Sequence, residues 1–153
     1  MKKMTNLLAL FVLALSQSAW SAGGGGSDAP VVDAEMSQAQ DMIANKDWGA
    51  ALQVLQSYTR AKPTSADGFN LLGYSLRKLQ RLDESLVAYQ QALKLDPAHR
   101  GAHEYIGEAY IQLGQLGKAK EHLDALDKLC FFSCEEYRDL KRAYEEANRK
   151  SGR

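Results

Sequence analysis

Residues of matching character return every 34 positions along much of this chain. Leu72-Gly73 is followed at that interval by Ile106-Gly107, and Pro63 by Pro97. Leu55, Tyr89 and Leu123 form a series of large residues with the same spacing, and Ala51, Ser85 and Ala119 a series of small ones. Four series agreeing on one period point to a single structural unit used several times over. Within each unit the apolar residues recur at intervals of three and four. Leu71, Leu72, Ser75, Leu76 and Leu79 make one stripe, and Leu82, Leu86, Tyr89 and Leu93 another. Ile106, Tyr110 and Leu113 make a third, and Leu116, Ala119, Leu123 and Leu126 a fourth. Such spacing predicts helices with one buried face, and nowhere does alternation persist long enough to predict a strand.

Composition agrees with helix. The 153 residues include only three prolines, and alanine, leucine, glutamate, lysine and glutamine recur throughout. Straight-chain residues lose little rotamer freedom in a helix. Hydrophobic residues at 45% and charged residues at 25% suit a packed domain rather than a disordered chain. The formal net charge of zero implies no basic surface of the kind nucleic acid requires.

The repeat resembles the tetratricopeptide repeat (TPR). The middle copy, residues 66–99, carries it best: Phe69 in the aromatic slot, Leu72-Gly73 as the leucine-glycine pair, Ser85 in the small slot, Tyr89 in the second aromatic slot and Pro97 at the end. The third copy, residues 100–131, keeps Gly107, Tyr110 and Ala119, but His103 takes the aromatic slot and Phe131 replaces the closing proline. The first copy, residues 32–65, has Gln38-Ala39 in place of the leucine-glycine pair, while Trp48, Ala51, Leu55 and Pro63 hold its second half. The resemblance implies an all-α fold, a right-handed superhelical solenoid of about three helix-turn-helix repeats over residues 33–131. Small residues such as Gly73, Gly107, Ser85, Ala92 and Ala119 would let helices approach, and Leu72, Tyr89, Ile106 and Leu123 would fill the layers between them. Residues 132–153 complete the solenoid with a capping helix and tail. Ser133 and Glu136 give the S-x-x-E signature of a helix start at Ser133, and Tyr137, Leu140, Tyr144 and Ala147 supply one apolar stripe.

The amino-terminal residues have a different character. Lys2 and Lys3 precede an apolar run from Leu7 to Leu15, and small residues Ala19 and Ser21 follow. This three-part layout predicts a signal peptide over residues 1–21, removed on export to the periplasm or beyond. The run is too short for a comfortable membrane span, so no stable membrane insertion is expected after cleavage. Residues 22–32 contain Gly23 to Gly26 and Ser27 and read as a flexible segment, with order beginning near Asp33.

Candidate chemistry is sparse. Cys130 and Cys134 flank one turn, and in an oxidising compartment a disulfide between them is the first expectation. A redox or metal-handling dithiol is the alternative, since a cysteine at a helix start has its thiolate favoured by the dipole. His99 and His103 lie four apart, but one falls in a turn and the other in a packing slot, so neither is expected to hold a metal. His122 reads as solvated surface, and Glu104, Tyr105 and Glu108 as a wet helix face rather than acid-base machinery. No phosphate loop, dinucleotide fingerprint or nucleophile elbow occurs, so neither a catalytic residue nor a cofactor is expected. The resemblance instead implies a concave face that binds a protein or peptide segment. Helical phase offers Asp67, Asn70, Tyr74 and Arg77, then Glu104, Glu108, Ile111 and Gln112, as residues pointing away from the packing stripe. The lysines with which chaperone-binding relatives clamp a dicarboxylate are not matched.

Overall fold

The computed structural model describes residues 31–152, and the expected signal peptide and most of the glycine-rich segment lie outside them. Among the described residues the chain forms seven helices and no strand. They are α1 (Val31–Ala44), α2 (Trp48–Ala61), α3 (Ala66–Lys78), α4 (Leu82–Leu95), α5 (Arg100–Gln112), α6 (Leu116–Leu129) and α7 (Glu135–Ser151). Helix α1 opens at Val31, slightly ahead of the Asp33 at which the sequence suggests order begins. None of these helices is long and apolar enough to cross a membrane.

Two alternating turn designs set the period. Inside each repeat one residue takes the left-handed conformation: Lys46 (φ 60°), Gln80 (φ 62°) and Gly114 (φ 70°), again 34 apart. Around each, the same two backbone bonds close the preceding helix. Asp47 N–H donates to Met42 and Lys46 N–H to Ile43, and both bonds recur one and two repeats later. This is the Schellman closure, which satisfies carbonyls that the helix end leaves free. Between repeats, proline takes over. Lys62 (ψ 70°) and Asp96 (ψ 96°), before Pro63 and Pro97, leave the helical region because the proline ring crowds the preceding residue. Ser65 and His99 then accept from the backbone N–H of Gly68 and Ala102, capping α3 and α5.

Each helix packs on its sequence neighbours, and α5 also touches α3 and α7. Comparable contact among α2, α4 and α6 is missing. Helices α3, α5 and α7 therefore stand closer together and line the inner side of the array. Small residues allow close approach both within a repeat and between these inner helices. A Cβ built on Gly73 meets the Tyr89 ring at 2.6 Å, and one on Gly107 meets Leu140 at the same distance. Tyr89, Ile106, Ala109 and Ala119 form one buried cluster, and Leu123, Leu126 and Leu140 another. The exposed Gly49 has nothing near its missing Cβ. Gly49→Ala is thus expected to stabilise by about 0.5–1 kcal/mol through helix propensity. Gly73→Ala is expected to destabilise by about 1–3 kcal/mol, because the ring it strikes is rigid and enclosed. Chemical denaturation of the two variants checks the opposite signs.

The third junction departs from the other two. The structure pairs Cys130 with Cys134, their Cα atoms 5.5 Å apart, in a turn one residue longer than its counterparts. Ser133 sits at φ 44° inside that turn, so the expected capping box at Ser133 does not form. An N-cap needs extended backbone, which the Cys-paired turn denies to Ser133. Cys134 becomes the N-cap and makes no side-chain cap bond. Glu135 and Glu136 in the first turn of α7 offer their carboxylates to the helix dipole instead.

Candidate functional site

The inner face is built on α3 and α5, with α7 closing one end. From α3, Tyr74 packs between Trp48 (ring centroids 5.8 Å) and Tyr105 of α5 (4.9 Å), giving an aromatic strip across three helices. The Lys78 ammonium lies over both Trp48 and Tyr74, 5.8 and 5.1 Å from their centroids. The Arg77 guanidinium faces Tyr74 and Tyr105 at 5.4 and 5.6 Å. Its Nη2 is 2.6 Å from Glu108 Oε2, and its Nε donates to the Tyr89 hydroxyl at 3.4 Å.

Arg77 is only 4% exposed, and Asn70 only 6%. The expectation that both lie off the packing stripe as free surface is therefore wrong for these two. The neighbouring repeat supplies what a single helix cannot show: the Tyr105 ring to cover the guanidinium and the Glu108 carboxylate to balance it. Ile111 is corrected too. It packs into the cores around Tyr110 and Leu126, because α7 lies across the face of α5 that phase alone leaves open. Asp67 and Gln112 are exposed, and Tyr74, Glu104 and Glu108 are half-buried. Asp67 meets His99 Nε2 at 3.0 Å, while Gln112 joins none of these contacts.

Beside the aromatic strip lies a recess of about 310 Å³ between α3, α5 and α7. Asn70, Glu104, Tyr105, Glu136 and Asp139 are among its walls. Burial pushes the Glu104 carboxyl up to about 8, helped by repulsion from Glu108, Asp139 and Glu136 and opposed by Arg77. Burial, and then Glu104 itself, pushes the Tyr105 phenol up to about 12. A carboxyl raised from 4.5 to about 8 makes folding take up a proton between those values. Stability then falls as pH rises through that window, with the full penalty above it. Glu104→Gln is expected to raise the melting temperature above pH 8 and to change it little near pH 4.5. Melting curves across the window check this; equal gains at both ends would remove Glu104 as the cause.

His122 is half-buried rather than solvated, stacked on Tyr110 at 5.8 Å with its Nδ1 3.0 Å from His103 Nδ1. Pro97 O sits 3.0 Å from His103 Nε2, and a carbonyl can only accept. His103 therefore carries its proton on Nε2 and offers Nδ1 as the acceptor to His122. Burial, with His103 adding to it, lowers His122 to about 4, so His122 is neutral and structural at ordinary pH.

Comparison with known proteins bears on this architecture. A TPR repeat model matches residues 73–114, and a tetratricopeptide repeat model matches residues 106–131. Residues 73–131 are tetratricopeptide repeats. Among solved TPR folds, the TPR2B domain of yeast Sti1, described in complex with an Hsp70 peptide, superposes with a TM-score of 0.72 at 20% identity. That match covers 78% of this chain and 97% of the domain. The Yersinia enterocolitica type III secretion translocator chaperone SycD gives 0.72 at 17% identity, covering 80% of this chain and 86% of SycD. At those identities the likeness is one of fold. In sequence, the TPR chain is 27% identical over 132 residues to an inactive TPR repeat-containing thioredoxin of Arabidopsis thaliana. It is 30% identical over 91 residues to the peroxisomal targeting signal receptor of Candida albicans. Those alignments take in 80% and 60% of this chain but only 18% and 15% of the relatives' length.

Several residues of the TPR face escape a reading by helical phase: Trp48, Lys78 and Tyr105 in the strip, Glu136 and Asp139 in the recess. The last has a signal in the sequence. Asn70, Glu104 and Asp139 occupy one position in α3, α5 and α7 once the extra residue of the Cys turn is allowed for. Treating α7 as an end cap, rather than as the next inner helix, hides it.

Proposed function

We propose that this protein is a non-catalytic interaction module that holds a segment of a partner protein along its inner face. The observation that carries the reading is the strip Trp48–Tyr74–Tyr105, backed by the Arg77–Glu108 pair and opening onto the α3–α5–α7 recess. Rigid aromatic rings beside fixed charges are the composition that anchors protein partners. Solved proteins of this fold lend support, since the Sti1 domain and SycD are both described with bound peptides. We place the module in an exported compartment, on the strength of the Lys2-Lys3 start, the Leu7–Leu15 run and the Cys130–Cys134 pairing.

The test begins with capture of partners from the native envelope fraction, with intact mass reporting whether residues 1–21 are present. Tyr74→Ala should weaken the captured complex by about ten- to a hundredfold, the range of an interfacial anchor. Its circular dichroism should remain that of the parent, since Tyr74 is only half-buried. Unchanged affinity removes the inner face as the binding surface. A second reading, a redox accessory, draws on Cys134 standing at the N-cap of α7, where a thiolate is favoured. Alkylation without reductant separates the two: thiols that cycle between labelled and protected states under mild reductant favour the redox reading.

A further inference from the structure

The recess between α3, α5 and α7 has two properties that an ordinary wet face does not combine. The first is an imbalance of charge. Of its acids, Glu136 and Asp139 have exposed basic neighbours, Arg100 at 3.6 Å and Arg142 at 2.9 Å, while the exposed Glu135 has none among the described residues. Glu104, half-buried at the centre, makes no ion pair among the described residues. The second is an orphan. Asn70, more than nine-tenths buried, has its Oδ1 without a hydrogen-bond partner among those residues. Its Nδ2 lies at the recess wall beside Gly101, and turning the amide over brings Oδ1 to that wall. A buried acceptor without a donor is costly, and cases in native proteins ask for an explanation.

We propose that this recess takes the cationic side chain, lysine or arginine, of the bound partner segment, with Glu104 and Asn70 Oδ1 as its acceptors. The proposal rests on the interaction-module reading and adds the chemistry its partner must carry. An ammonium or guanidinium brings donors only, which is what an unpaired carboxylate and an orphan carbonyl oxygen lack. A divalent metal ion fits less well, because no three carboxylates among the described residues converge into an ion-holding group. An acidic segment meets the four acids of the wall, Glu104, Glu135, Glu136 and Asp139. The volume of about 310 Å³ is ample for one long side chain entering from the aromatic strip, where its own backbone would lie across Tyr74. The raised carboxyl of Glu104 fits the same picture: it is largely protonated near neutral pH when alone and releases that proton to solvent when a cation docks beside it.

The decisive measurement uses the full chain, isotope-labelled, with N-acetyl-lysine methylamide and N-acetyl-arginine methylamide as probes and N-acetyl-norleucine methylamide as the uncharged control. Near neutral pH, millimolar lysine or arginine probe should move the Glu104 side-chain carbon toward its ionised position and shift the Asn70 amide signals. The norleucine probe should leave both in place. Glu104→Gln should weaken the response of Asn70 by about tenfold, the worth of one charge-assisted bond. Asp139→Asn, at the rim beside Arg142, should weaken it less. Equal responses to norleucine and lysine, or none to either cation, overturn the recess assignment. That result leaves the interaction reading standing, because the latter falls only if Tyr74→Ala leaves the captured partner's affinity unchanged.

Discussion

Tyr89→Ala is expected to lower the unfolding free energy by about 3–5 kcal/mol, the range for emptying a large aromatic site in a close-packed core. Tyr89 is fully buried, and its ring fills the notch that Gly73 leaves in α3. The surrounding cluster of Ile106, Ala109 and Ala119 belongs to helices held on several sides, so little collapse into the cavity is available. The hydroxyl matters less. Burial pushes its pKa up, and it keeps its proton while accepting from Arg77, so Tyr89→Phe should cost only about 1 kcal/mol. Urea midpoints for the two variants measure the difference. Similar values would mean that the bond to Arg77, not the ring, holds the middle layer.

Arg77→Ala is expected to cost about 2–4 kcal/mol, although arginine on a helix reads as surface. Three losses combine: the buried stem, the donor to Tyr89, and the partner of Glu108, which is left half-buried and uncompensated. Removing one member of a sheltered ion pair costs more than the pair contributes, because the survivor remains desolvated. A double-mutant cycle tests this directly. Arg77→Met with Glu108→Gln should recover much of what Arg77→Met alone loses, giving a coupling of about 1 kcal/mol or more. Simple additivity would show that the two side chains do not interact. The same buried position makes Arg77 a poor site for probing partner binding, since any effect on affinity would be mixed with loss of the scaffold. Tyr74 does not carry that burden.

The difference between Tyr74 and Arg77 shows where sequence reasoning runs out. Period, helix number and turn positions are legible because they rest on local chemistry: proline before which helix cannot continue, small residues where helices meet, stripes spaced by three and four. Burial of a polar residue on the inner face is not local. Asn70 and Arg77 are covered by Gly101, Tyr105 and Glu108, all from the following repeat. Helical phase within α3 contains no record of them. Ile111 fails for a related reason, since it is α7 that converts its face from groove to core. The turn at Cys130 is a third case. Ser133 and Glu136 carry a real capping signature, but a contact between the flanking cysteines sets the backbone first. The unpartnered state of Glu104 follows from three helices at once, so no single stretch of sequence announces it.

The pattern of helix contacts carries one more consequence, for how the chain reaches its fold. Each helix packs only on the next in line or the next but one. Among the described residues no strand waits for a distant partner, and no pairing needs the two ends of the array to find each other. Loop-closure entropy therefore stays small at every step, and low contact order of this kind goes with fast folding. A chain emerging from a ribosome or a translocation pore can settle helix by helix, each addition docking on surface already formed. In the last step α7 packs on both α5 and α6, and the face of α5 is sealed when α7 docks.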